Sequence, residues 1–116
     1  MLRPMRMNVG LAILSGIAGA DLDSVERVEA ALRAAVERGR FSLYDLRMVR
    51  FEPHGVTGSA IVGESHLSVH TWPENGKLFV DVASCSDPAS VDLAIDAVLD
   101  AFPGAKVEIR RVVPLA

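Results

Sequence analysis

Between Gly63 and Glu74 the chain reads GESHLSVHTWPE. Two histidines, two serines, two carboxylates and the only tryptophan fall within twelve positions. Residue types of this kind serve nucleophilic attack, proton transfer or metal binding. Ser65 beside His66 invites a hydrolase reading, but the nucleophile elbow G-x-S-x-G fails because Leu67 stands where its second glycine belongs. His66 and His70 are four apart, so on a strand they share a face. With His54 or Cys85 they could bind zinc, yet their spacing matches no standard zinc signature. Cys85 precedes a helix start, a place that favours a thiolate, whereas a lone cysteine is more often a small buried hydrophobe. Taken singly, the bland reading of each residue stands: a hydrogen-bonded histidine, a packed tryptophan, a solvated glutamate.

These residues need elements to hold them. Val25, Val28, Leu32, Ala35 and Val36 recur at helical spacing, with Asp23 as N-cap, Glu26 three residues on, and Gly39 as a left-handed stop. A second helix starts at Asp87-Pro88, turns Val91, Ala94, Ile95, Val98, Leu99 and Phe102 inward, and ends at Pro103-Gly104. Strands are expected at 8–17, 42–50, 56–64, 66–72, 77–84 and 106–113. In the last, Val107 and Ile109 alternate with Lys106, Glu108 and Arg110. Turn signals fall at Pro53-His54-Gly55 and at Asn75-Gly76, the latter a hairpin marker. The order β-α-β-β then β-β-α-β predicts an α+β fold: a two-layer α/β sandwich, mainly antiparallel, with two helices on one face of the sheet.

A length of 116 residues, half of them hydrophobic, allows one domain with a real core. A net charge of −3 with no basic stripe gives no footprint for nucleic acid. No run reaches membrane-spanning length. The opening MLRPMRMNVGLAILSGIAGA sets basic residues before an apolar run, as a signal peptide does. That run is short and holds Gly10 and Gly16, so it is read as a buried strand. The single cysteine rules out an intrachain disulfide framework and fits a reducing compartment; a cytoplasmic location is expected.

The string FEPHGVTGSAIVGESHLSVHTWPENG, followed by Asp81 and Cys85, resembles the prokaryotic S-adenosylmethionine decarboxylase proenzyme family. The match is close from Phe51 to Cys85 and weaker elsewhere. The resemblance implies an inactive precursor that cuts itself between Glu64 and Ser65, giving a β chain 1–64 and an α chain 65–116 within one domain. Ser65 would become a pyruvoyl group, the built-in cofactor that forms a Schiff base with the substrate amine; no metal is implied. His70 resembles the processing base, Thr57 the hydroxyl that helps the acyl shift, and Cys85 the acid that reprotonates the substrate α-carbon. Phe51 resembles the aromatic that stacks on adenine, and Glu74 the carboxylate that accepts from the ribose hydroxyls. The implied partners are a small-molecule substrate, the chain's own other fragment and a second copy in a homodimer.

Some family-typical residues are replaced. Ala12 stands for a histidine, Ala20 for a cysteine, Lys77 for an aromatic, Ala83 for a phenylalanine and Ser86 for a glycine, and the C-terminal tail is short. These changes spare the processing residues and fall on regions expected to shape the substrate pocket or its surroundings. S-adenosylmethionine is the expected substrate, its decarboxylated product feeding spermidine synthesis. Arginine or ornithine is the alternative, because Glu74 could equally bind a guanidinium or ammonium. A homologue that binds without processing, and a zinc domain built on His54, His66, His70 and Cys85, are the remaining readings.

Overall fold

The computed structural model describes residues 5–116. Arg3, one of the basic residues of the signal-like opening, lies outside the described residues. The apolar run that follows is strand β1, Asn8–Ser15, whose residues alternate between buried and half-buried. Then come α1 (Gly19–Leu22), α2 (Val25–Arg38), β2 (Asp45–Arg50), β3 (Val56–Val62), β4 (Ser65–Trp72), β5 (Lys77–Ser84), α3 (Pro88–Ala101) and β6 (Lys106–Pro114). The strands form one sheet in the order β2-β3-β4-β5-β1-β6. Every neighbouring pair in it is antiparallel.

One face of the sheet carries the helices, as expected from the two amphipathic periods. Val28, Ala31, Leu32 and Ala35 of α2 and Val91, Ala94, Ile95 and Val98 of α3 are fully buried. They meet Leu67 and Val69 of β4 and Val80 and Val82 of β5, also fully buried. Removing such side chains from water is the main stabilising term, about 1.5–3 kcal/mol for each large aliphatic one. Among the described residues, no layer covers the opposite face. Trp72, Ile61 and Val113 remain close to half exposed there, at 47%, 49% and 44%.

Several local expectations are corrected. The cap of α2 is Ser24, whose Oγ accepts from the Arg27 amide at 3.2 Å, because the Asp23 carboxylate is spent elsewhere. Gly39 is right-handed (φ −73°), and the left-handed residue is Arg40 (φ 61°). Gly39 is required for space instead: a Cβ there would lie 2.4 Å from the Phe41 ring. The strand expected to run through Glu64 stops at Val62. Gly63, at φ 74°, turns the chain, and Ser65 already begins β4. Asn75 ends a 3-10 turn, Pro73–Asn75, and Gly76 takes the left-handed position that sends the chain into β5. In β6 the alternation is interrupted by a register shift opposite Ile13 and Leu14. The cap Asp87 and the proline-first start of α3 are as expected, Asp87 accepting from the Ser90 amide at 3.0 Å.

Candidate active site

Ser65 is the first residue of β4 and is 5% exposed. The Cys85 amide donates to its Oγ at 3.0 Å, and the same Oγ donates to Cys85 Sγ at 3.5 Å. Cys85 stands between the end of β5 and the start of α3. Its loop is braced by the Ser86 amide donating to Ser84 Oγ at 2.8 Å and by Asn8 Nδ2 donating to the Ser86 carbonyl. Glu64 lies in the turn just before Ser65. A cleft of about 340 Å³ opens here, lined by Arg40, Tyr44, Glu64, Ser65 and Cys85 among others. The arrangement sets a hydroxyl, an amide and a thiol on one spot beside a turn.

His70 is not part of this cluster. It lies five residues further along β4 and, by strand alternation, on the open face, about 17 Å from Ser65 at the usual rise per residue. There it pairs across the ladder with Thr57, whose Oγ1 is 3.0 Å from His70 Nδ1. The His70 ring also stacks on Phe79, with centroids 6.1 Å apart. If His70 donates from Nδ1 to Thr57, its Nε2 is left as a base. Thr57 and His70 therefore belong together, as a second cluster at the far end of the hairpin.

Phe51 and Glu74 lie towards that same end. Phe51 is 48% exposed and follows β2; its amide donates to the Gly55 carbonyl at 2.8 Å, closing a loop. Glu74 sits in the 3-10 turn after β4, and its Oε2 is 2.6 Å from His54 Nε2. Two residues that hold this end together were not foreseen. Asp23 Oδ1 accepts from the Gly55 amide at 2.8 Å, and its Oδ2 accepts from Arg50 at 2.7 Å. The Gly55 amide, then the Arg50 guanidinium, hold its carboxyl below the usual value of 3.8. Thr71, buried between the sheet and α1, donates to the Leu22 carbonyl at 2.8 Å and accepts from the Val56 amide at 2.9 Å. The signal for Thr71 was available: alternation puts it on the core side, and a buried hydroxyl must find partners.

The zinc set is not gathered. His54 meets Glu74, His66 meets Asp81 at 3.4 Å, His70 meets Thr57, and Cys85 meets Ser65. Among the described residues no three potential ligands come together, and no helix is long and apolar enough to cross a membrane.

Comparison with known proteins gives a consistent answer. Residues 11–113 match the protein family described as S-adenosylmethionine decarboxylase. A curated relative from Aquifex aeolicus, named S-adenosylmethionine decarboxylase proenzyme, is 39% identical over 98 residues, 82% of this chain and 73% of the relative. One of the same name from Thermomicrobium roseum is 41% identical, covering 79% of this chain and 80% of its own. The crystal structure of the adenosylmethionine decarboxylase from Aquifex aeolicus superposes with a TM-score of 0.82 at 28% identity, covering 97% of this chain and 91% of that one. A Trypanosoma brucei AdoMetDC monomer, at 16% identity and a TM-score of 0.59, shares the fold over 45% of its length.

Proposed function

The chain belongs to the S-adenosylmethionine decarboxylase family, and we propose that it is a precursor that cuts itself between Glu64 and Ser65 and then decarboxylates S-adenosylmethionine. The observation that carries this reading is the contact of Ser65 Oγ with both the amide and the thiol of Cys85. Ser65 Oγ attacks the Glu64 carbonyl through a five-membered ring, so the reacting atoms need no long-range assembly. The peptide C–N bond breaks as an ester C–O bond forms. Loss of the Cα proton of residue 65 expels the Glu64 carboxylate and leaves a dehydroalanine. Its enamine nitrogen departs as ammonia while one water enters, and the α chain 65–116 begins with a pyruvoyl group.

The residues present fit that group. The cut falls where the Gly63-Glu64 turn meets β4, at the end of the ladder that pairs Thr57 to Val62 with Ser65 to His70, so the rest of the sheet is left intact. The new terminus is buried beside a thiol and a donating amide. When formed, the pyruvoyl carbonyl supplies an electron sink for the pair released as CO₂ leaves. Cys85, held by the Ser84–Ser86 loop, is placed to pass a proton to the substrate α-carbon. In a homodimer whose chains share sites, the partner's Phe51 offers an exposed ring to adenine, and the partner's Glu74 offers two acceptor oxygens to the ribose diol, since both lie at the His70 end of the hairpin. Those two residues, and the names of the relatives, favour S-adenosylmethionine over arginine or ornithine. The product then supplies aminopropyl groups for spermidine.

The separation of His70 from Ser65 supports a homodimer with shared sites. In it the partner's His70, held by the partner's Thr57, removes the Cα proton at Ser65. The uncovered apolar face of the sheet suits such a partner, since single domains rarely leave wide apolar patches bare. Intact mass spectrometry of the purified protein tests the first step. Two chains are expected, 65–116 with a blocked terminus, their summed mass equal to the precursor plus water minus ammonia. Ser65→Ala should stay whole. Labelled CO₂ should be released from S-adenosylmethionine, not from arginine or ornithine. One unbroken chain in fresh and aged samples alike would leave a binding protein in place of an enzyme.

A further inference from the structure

His54 was not among the residues assigned a role by the resemblance, yet it makes the short contact to the carboxylate expected to read the substrate's ribose. We infer that His54 is a positioning residue: it fixes the plane of the Glu74 carboxylate so that Glu74 can read a vicinal diol. The inference rests on the nucleoside reading given above.

The geometry supports it from three sides. His54 Nε2 lies 2.6 Å from Glu74 Oε2, and both side chains are partly exposed, at 38% and 47%. A nitrogen that donates to one carboxylate oxygen leaves Oε1 wholly free, and one lone pair of Oε2, for two hydroxyls. Without that bond an exposed glutamate samples several rotamers, and the diol must select one at its own entropic cost.

The second support is that both partners are mounted on one scaffold. The loop carrying His54 is pinned at each end by Asp23, through Arg50 at 2.7 Å and the Gly55 amide at 2.8 Å. The turn carrying Glu74 leans on the same segment. The Ile17 amide donates to the Gly76 carbonyl at 3.1 Å, and Gly19 lies so close that a Cβ there would be 3.0 Å from the Pro73 carbonyl oxygen. The segment Ile17 to Asp23 therefore sets the spacing of the two loops, and His54 to Glu74 is the bond between their tips.

The third support is that the bond holds little else. Arg50 reaches Glu52 and Asp23 without His54, and Gly55 and Val56 are bonded to Asp23 and Thr71. Exposed pairs of this type add little to stability, so losing His54 should leave the fold in place and change only what Glu74 can hold.

The test is binding of adenosine and of 2′,3′-dideoxyadenosine by calorimetry, to wild type, His54→Phe and His54→Gln. Wild type should prefer adenosine by about tenfold, the value of one good charge-assisted hydrogen bond. His54→Phe should lose most of that preference while binding the dideoxy compound as before. His54→Gln, which keeps an N–H donor, should restore part of it. Equal preference in wild type and His54→Phe overturns the role of His54 and leaves the nucleoside site intact. No preference in wild type overturns the nucleoside reading and His54's role with it. In the active enzyme the same His54→Phe change should raise KM by a similar factor with little change in kcat.

Discussion

The Cys85 amide and thiol both meet the Ser65 hydroxyl, at 3.0 and 3.5 Å, across the gap between the start of one strand and the end of its neighbour. In the proposed reaction that one contact joins the two ends of the chemistry: the atom proposed to open the backbone sits beside the group proposed to deliver a proton later. The two jobs should separate by mutation, because the acyl shift is internal to residues 64 and 65 whereas reprotonation needs the thiol. Cys85→Ala is expected to process into two chains and to decarboxylate about 10²-fold more slowly, the usual worth of a positioned general acid. Mass spectrometry and CO₂ release on the same sample check it. A Cys85→Ala protein that never cleaves would show that the thiol acts in processing.

The proposed shared site makes a sharper demand. Ser65→Ala and His70→Ala chains should each be inactive alone. Co-expressed, they should form mixed dimers in which the intact Ser65 of one chain meets the intact His70 of the other. With random pairing, half the dimers are mixed and each carries one competent site, so about a quarter of wild-type activity is expected. Zero activity from verified mixed dimers would mean that each chain assembles its site by itself.

Much of this was legible in the sequence, and the reasons differ by residue. The helices announced themselves because Val28, Leu32, Val91 and Ile95 repeat at a period that only a helix can bury. Ser65 and His70 could be singled out because the ESH-x-x-x-H-T-W-P-E string is specific, and Cys85 because the match continues to it. Their distribution could not be foreseen. Whether two residues on one strand share a site depends on the parity of their separation and on where the turn falls. The turn came at Gly63-Glu64 rather than at Ser65, since Gly63 takes a left-handed conformation. Asp23 was misjudged for a related reason. It is a good helix cap in isolation, but a long-range partner, the Gly55 amide 32 residues away, outcompetes the local one.

Asp23 gives a pH signature. Its carboxyl titrates below 3.8 in the folded chain, through the Gly55 amide first and Arg50 second. A carboxyl held lower when folded than when unfolded contributes stability that is complete above its unfolded value. That contribution disappears as the pH falls through the folded value. Asp23→Asn should therefore melt below wild type at pH 7, and the gap should close between pH 4 and lower values. Thermal melts of both proteins across that range decide it. A gap that stays constant into strong acid would mean that ionisation of Asp23 contributes nothing.

The seating of Cys85 depends on how closely α3 lies against the sheet, and Gly10 sets that distance. A Cβ on Gly10 would fall 2.2 Å from Val91 Cγ1 and 3.0 Å from Ile95 Cδ1. Val91 is β-branched and buried, so its side chain has few rotamers with which to retreat. Gly10→Ala must push the first turns of α3 outward, at a cost of about 1–3 kcal/mol for overpacking. Cys85 is only three residues before α3 begins, so the same displacement should loosen its contact with Ser65 and slow decarboxylation along with the loss of stability. If the steric account is right, the damage has a specific cure. Val91→Ala alone should destabilise by opening a cavity, but added to Gly10→Ala it should return the space, so the double variant should be more stable than the sum of the two losses predicts. Urea midpoints of the four proteins measure this coupling, and strict additivity would mean that Gly10 and Val91 do not compete for the same volume.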